Sequence, residues 1–462
     1  MPTSFFQYEM LPTTWFYLSA LIILAAFFKF NRFWSIRNLD LFGLIMLTPG
    51  LLLLAMNDNQ WGYVWLFGIG LLLAVRLLFD NVMVRRPLLE PNLTPGGLTF
   101  SCFFLFFFVV AAVTVNRGDR IDTVRTVRLE QILTTRHLAQ QTGINLETRT
   151  LPRNELKNQP PGFLPFLVFS EHVNLLFVPP PGIRREILQL PAKETTAAVL
   201  PEPMLEEPVP AALRPAAPPT TGWLITAVSS IVAVHLLIVF GFIYIGHCHF
   251  GNIRTGVACA TLYLLVPYSD QMLGRLDHLL PAALILWGVA LYRRPFFSGL
   301  FIGTAAALVW YPVFLVPLWC SFYRHRGWIR FLAGIVSAAV LFILLLLFSP
   351  SGLGNYGEQI IHLLGKSSFF IFSEADGFWS FHDNVYRIPI LAVFFVFCFG
   401  MILWPSHKHL ATLLSCSALL MLGVQFWQIH QGGLYIAWYL PLVILTIFRP
   451  NLEDRIASSV AV

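Results

Sequence analysis

Uninterrupted apolar runs of about 15–20 residues recur along the chain and constrain its fold more than any other feature. They are too continuous to alternate as barrel strands do, so they predict helices that cross a bilayer. Composition agrees. Of 462 residues, 56% are hydrophobic and only 12% charged, about half the ~25% of soluble domains. Disorder is excluded for most of the chain. The formal net charge of +6 carries no nucleic-acid signal, because basic cytoplasmic loops are expected of membrane proteins.

Spans are expected near 14–28, 41–56, 61–79, 98–115, 223–246, 253–268, 279–292, 331–348, 388–404, 409–427 and 433–448. The expected class is therefore an all-α polytopic membrane protein with about eleven transmembrane helices. A further apolar stretch, 296–320, is interrupted at Tyr311-Pro312 and again at Pro317; proline removes a backbone donor and clashes with the preceding turn. Basic residues set the orientation. Lys29, Arg32 and Arg37 follow the first span, and Arg76, Arg85 and Arg86 the third. Arg254, Arg293-Arg294, Lys408 and Arg449 with Arg455 continue the alternation. It is consistent if the N-terminus is external and the C-terminus cytoplasmic. Arg324, Arg326 and Arg330 then place both flanks of 296–320 inside. That stretch is expected to be a re-entrant or broken helical hairpin turning at Trp310-Tyr311-Pro312, an irregularity tolerated only where protein or water covers it.

The first charge is Glu9, and basic residues follow the first span rather than precede it, as in a retained anchor. Residues 1–97 divide off as three N-terminal spans and 98–115 as the fourth. One long external region follows: a loop subdomain, 116–178, and a Pro/Ala/Glu-rich linker, 179–221. Residues 222–462 form a C-terminal transmembrane domain. The six cysteines fall in spans or at their cytoplasmic ends, so no disulfide framework is expected. His247-Cys248-His249 lacks a second cluster to complete a four-ligand metal site, and no metal residue is assigned.

Polar residues near external helix ends are the informative ones, because the hydrocarbon holds few charges. The connection around residue 270 contains Ser269, Asp270, Arg275, Asp277 and His278. On a helix, Asp270 and Asp277 lie two turns apart on one face. Arginine binds phosphate as a planar fork, and a carboxylate takes a proton from an attacking hydroxyl. Helix capping by Ser269, Asp270 and Asp277 explains the same residues without function. A second candidate, Asn116-Arg117-Gly118-Asp119-Arg120-Ile121-Asp122, offers Asp119 and Asp122 as bases beside two arginines, or a solvated turn. The third is loop 350–386 with its margin, where His382, Tyr386 and Arg387 stand among aromatics; His430 stands in the last external turn. An interfacial aromatic belt accounts for those rings, as does a sugar or prenyl headgroup. No Walker loop, zincin helix, nucleophile elbow or dinucleotide fingerprint is present.

The run Asp277-His278-Leu279-Leu280-Pro281, then Tyr292-Arg293-Arg294-Pro295, Ser298-Gly299-Leu300-Phe301-Ile302-Gly303, Tyr311-Pro312, Pro317 and Arg326-Gly327-Trp328, resembles glycosyltransferases of the C superfamily. It is most similar to the bacterial polyprenyl-phosphate-mannose-dependent mannosyltransferases, as is Gly432-Gly433-Leu434-Tyr435-Ile436-Ala437-Trp438-Tyr439-Leu440-Pro441. The resemblance covers about 223–450. It implies an external active site at which a sugar leaves a polyprenyl-phosphate carrier for a glycan, lipid or protein acceptor. An acidic residue of the first external loop acts as base in that family, so Asp119 and Asp122 are the positional matches, with Asp270 and Asp277 as alternatives. Arg275 and His278 would hold phosphate, and His382, Tyr386, Arg387 and His430 would complete the substrate site. The family often carries Lys before the Tyr-Pro break, where this chain has Val309-Trp310. The three N-terminal spans and the linker have no counterpart there.

The leading expectation is thus a membrane hexosyltransferase of the plasma or inner membrane, with loop 116–221 external. Its partners would be the bilayer, the lipid-linked sugar and the acceptor, not nucleic acid. No cofactor is expected, though a divalent ion bridging aspartate and phosphate is compatible with the chemistry. A transporter or lipid flippase is the first rival, since broken helices are its signature; no span carries an ionisable residue at mid-depth except His235. A non-catalytic scaffold docking through loop 116–221 is the second.

Overall fold

The computed structural model describes residues 12–56, 58–80, 82, 90–115, 221–271, 273–325, 327–347, 377–406, 408–428, 432–452 and 455–456. Among them the chain is helical, with a single isolated bridge, Gly377 to Gly432, in place of any strand. In chain order the helices are α1 (Pro12–Phe27), α2 (Ile36–Ile45), α3 (Leu47–Ala55), α4 (Asn59–Phe79) and α5 (Pro95–Val115). After residues 116–220 come α6 (Thr221–Cys248), α7 (Ile253–Leu265), α8 (Pro267–Gln271), α9 (Leu276–Ala290), α10 (Pro295–Val309) and α11 (Val316–Phe322). The last are α12 (Trp328–Leu347), α13 (Arg387–Leu403), α14 (Leu410–Trp427) and α15 (Leu440–Phe448).

Among the described residues, seven helical stretches are long and apolar enough to cross a membrane, where about eleven spans were expected. They are Ile36–Ala55, Asn59–Phe79, Pro95–Thr114, Val228–Cys248, Trp328–Leu345, Asn384–Leu403 and Leu410–Trp427. Four other expected spans form shorter helices, α1, α7, α9 and α15. Helices α7 and α15 fall short of the expected spans 253–268 and 433–448, and α9 is offset from 279–292, for local reasons at their ends. Extended Val266 stops α7 just before Pro267, Arg275 is extended where α9 begins, and α15 begins only after a short 3-10 turn, Ile436–Trp438. A hydropathy reading joins such pieces because the turns themselves are apolar.

The 296–320 stretch breaks at Trp310. There the backbone turns to a φ of +62°, the only positive φ of a non-glycine among the described residues. A short 3-10 segment, Tyr311–Leu315, and α11 lead back. Fifteen residues of α10 rise about 22 Å; the 3-10 segment and α11 return roughly 20 Å. The two ends accordingly meet: the Tyr323 hydroxyl donates to the Tyr292 carbonyl at 2.5 Å. Helix α12 then runs alongside α10 at backbone contact. A Cβ on Gly299 would stand 2.0 Å from the Phe331 carbonyl oxygen, and one on Gly334 2.1 Å from that of Phe296. Small residues at this seam let the backbones approach, the packing that serves where no hydrophobic effect drives helices together.

The first five helices are not a separate body. Helix α1 packs on α7, α4 on α14 and α5 on both α6 and α7, and one contiguous core runs from Phe16 to Leu452. Buried α14 lies at its centre, while α5 turns Phe100, Phe103, Phe104, Phe107 and Phe108 outward.

The basic turns gather at one end of the bundle. Lys29 Nζ donates to Asn92 Oδ1 at 2.9 Å, Arg254 to the Leu93 carbonyl at 2.6 Å, and His249 Nε2 meets the Ala290 carbonyl at 2.7 Å. Ser321 reaches the Ile402 carbonyl, and the Leu410 amide the carbonyl of Arg455. Three buried charges, Asp40, Asp80 and Arg449, and the half-buried Arg76 meet between helices there. Arg76 holds Asp40 at 2.6 Å and Asp80 at 3.0 Å, and Asp80 also accepts from Arg449 at 2.5 Å.

Candidate functional site

The opposite end is aromatic and is built by the α8–α9 turn, the hairpin break and the 428–439 turn. Arg275 is the extended residue that starts α9, so Asp277 falls in the first turn, where the helix dipole favours a negative charge. The carboxylate does not cap the helix. It grips Arg275 through both oxygens, Nη2 to Oδ2 at 2.6 Å and Nε to Oδ1 at 3.2 Å. Ser269 is no cap either; its hydroxyl donates to the Tyr263 carbonyl at 2.6 Å and closes the turn after α7.

Pro281 explains the next contact. It lacks the N–H that would donate to the carbonyl four residues back, which is that of Asp277. The indole of Trp438 supplies the donor instead, at 3.3 Å. This ties the last turn to the start of α9 and brings an aromatic stack with it. Tyr435 lies between His278 and Trp438, stacked on each with 4.3 Å between centroids. Tyr311, from the hairpin break, packs on Trp438 at 5.3 Å and on Trp427 at 5.7 Å. The Arg275 guanidinium stands 6.0 Å from the centre of the Tyr435 ring, within cation–π range.

His278 is fully buried. Its Nδ1 is 2.5 Å from the Tyr268 hydroxyl, while Nε2 lies 3.7 Å from Asp277 Oδ2 and has no hydrogen-bond partner. Other buried polar atoms of this end are in the same condition. Gln425 accepts from the Tyr435 amide through Oε1 at 3.1 Å but leaves Nε2 unpaired. Arg387 donates through Nε to the Trp427 carbonyl at 2.9 Å but leaves Nη1 unpaired, and Gln428 Oε1 is likewise unmatched. Buried polar atoms are nearly always satisfied in folded proteins, and a cluster of exceptions points to a ligand or water.

The structure thus brings together Arg275, Asp277 and His278 and separates other expected site residues from them. Arg387 belongs to the same end as a buried strut between α13 and α14. His382 and Tyr386 are exposed; His382 packs on the Phe378 ring at 4.5 Å, and no hydrogen bond or ring contact joins either residue to the Arg275 group. Asp270 lies in α8, but its side chain is outside the described residues, as are Asp119, Asp122 and His430 altogether. Among the described residues no group of three or more His, Cys, Asp or Glu side chains could hold a metal ion. Tyr268, Gln425 and Gln428 escaped the sequence reading because nothing in an apolar helix end distinguishes them. Pro281 was the available signal for Trp438, since its missing donor requires a replacement.

In comparisons with known proteins, no family model, no curated protein and no solved structure matches the chain.

Proposed function

We propose that the protein is a membrane-embedded glycosyltransferase that moves a sugar, with mannose the first candidate, from a polyprenyl-phosphate carrier to an acceptor at the aromatic end of the bundle. The observation that carries this reading is the Arg275–Asp277 pair beside the unpaired Nε2 of His278, set against stacked aromatic rings. A guanidinium and an imidazole suit a phosphate, and rings beside polar groups suit a sugar. The resemblance of residues 223–450 to the C superfamily points the same way. The basic turns at the other end support an external aromatic end by the positive-inside rule, and we take the membrane to be the plasma or inner membrane.

In the step, an acceptor hydroxyl oxygen bonds to the anomeric carbon as the bond from that carbon to the carrier's phosphate oxygen breaks. The electron pair stays on the phosphate, which Arg275 and His278 receive. The hydroxyl proton passes to a carboxylate. Asp277 is committed to Arg275 through two oxygens, which suits a clamp better than a base, so the base is assigned to Asp119 or Asp122 of the long external region. The transport rival would need a charged group in the broken hairpin, and Pro295–Phe322 contains none.

The test is incorporation of radiolabelled sugar from polyprenyl-phosphate donors by the purified full chain in liposomes. Wild type is expected to transfer. Arg275→Gln and one of Asp119→Ala and Asp122→Ala should lose at least about a hundredfold, the scale of one removed charge-stabilising or proton-transfer group. No transfer from any donor by folded wild-type protein would overturn the reading.

A further inference from the structure

The tautomer of His278 is set by its neighbours, and this gives Tyr268 a role. The Tyr268 hydroxyl lies 2.5 Å from His278 Nδ1, and the Asp277 carboxylate on the Nε2 side favours the ring hydrogen there, so the phenol proton is directed to Nδ1. A neutral imidazole that accepts at Nδ1 carries its hydrogen at Nε2. That N–H is buried, unpartnered and 3.7 Å from Asp277 Oδ2, beyond hydrogen-bond range. The same oxygen holds Arg275 Nη2 at 2.6 Å, so the imidazole N–H and the guanidinium flank one spot. The Tyr435 ring stacked on the imidazole keeps its plane fixed. The charged groups facing the imidazole come from α9 and its start, Arg275 and Asp277, while Tyr268 and Tyr435 supply neutral phenols from the adjoining turns.

We propose that Tyr268 is a positioning residue that locks His278 as the Nε2–H tautomer, making it a neutral donor which, with Arg275, receives an anionic phosphate oxygen. Such a donor binds the anion without requiring a second buried cation, whose desolvation would be costly. The inference rests on the proposed function only in taking phosphate as the anion.

The experiment is 15N NMR of the full chain in nanodiscs, with labelled histidine and His278 assigned by loss of its signals in His278→Gln. Wild type should show an unprotonated Nδ1 and a protonated Nε2, and the Nε2 signal should move on addition of inorganic phosphate or polyprenyl phosphate. Tyr268→Phe should lose the fixed tautomer and weaken phosphate binding about tenfold, the worth of one hydrogen bond to a charged group. A wild-type signal with the proton on Nδ1 overturns the proposal without any variant. So does a Tyr268→Phe protein whose tautomer and phosphate affinity are unchanged. Phosphate-dependent movement in a protein that transfers no sugar would uphold the tautomer and sink the transferase reading alone.

Discussion

Arg76 at the basic end is held by Asp40 from α2 and by Asp80 beyond α4, and Asp80 is held again by Arg449 beyond α15. Arg275 at the aromatic end is held by Asp277, two residues away on the same turn, next to a histidine nitrogen with no partner. The first arrangement joins three remote stretches of chain through alternating positive and negative side chains. The second is local, so it fastens little; unmatched atoms occur at both ends, Arg76 Nε and Arg449 Nε in the first and His278 Nε2 in the second, but only the second sets one beside stacked aromatic rings. Buried charge serves assembly in one place and recognition in the other.

The comparison breaks first on stability. Asp80→Ala leaves two arginines short of a buried partner and is expected to cost about 3–5 kcal/mol, the penalty for an uncompensated buried charge. Asp277→Asn keeps an acceptor for Arg275 and should fold to within about 1 kcal/mol of wild type. Thermal unfolding in detergent measures both; equal losses would erase the distinction between the ends. A smaller effect is expected of Trp438→Phe, which keeps the ring stack but removes the donor that replaces the Pro281 N–H. It should cost roughly 1 kcal/mol and lower phosphate affinity severalfold by loosening the start of α9, as a titration of the purified variant would show.

The smallest effect concerns pH at the basic end. Burial, with Arg293 and Arg455 adding to it, holds the His249 imidazole below its ordinary 6.5. The unfolded chain therefore takes up the proton first, and stability is complete above pH 6.5 and declines as pH falls below it. His249→Gln should flatten this acid limb in unfolding curves recorded between pH 7 and 5, buffers chosen to bracket the ordinary histidine range of roughly 6.5. An unchanged limb would show that another group sets it.

Much of the architecture was legible because apolar length and basic punctuation are strong signals. The break near Tyr311-Pro312 followed from proline and loop parity, and Tyr323 meeting Tyr292 is the closure that a hairpin requires. The lengths of the helices were less legible, since turns such as Val266-Pro267 are as apolar as the helices they interrupt. The Asp40–Arg76–Asp80–Arg449 network was also hidden. Its arginines read as ordinary cytoplasmic-loop residues, and its carboxylates sit one residue outside the expected spans 41–56 and 61–79. At the aromatic end, the charged trio was legible from its types and spacing. The packing that gives it meaning was not, because it joins residues about 160 positions apart, as when Trp438 meets Asp277.

The most direct test of the account is binding of polyprenyl phosphate to the full chain in nanodiscs, comparing wild type, Arg275→Gln and Arg324→Gln, an arginine of the basic end outside the buried network. The account predicts saturable binding that Arg275→Gln weakens by about tenfold or more and Arg324→Gln leaves unchanged. Equal binding by all three, or a loss confined to Arg324→Gln, would contradict it.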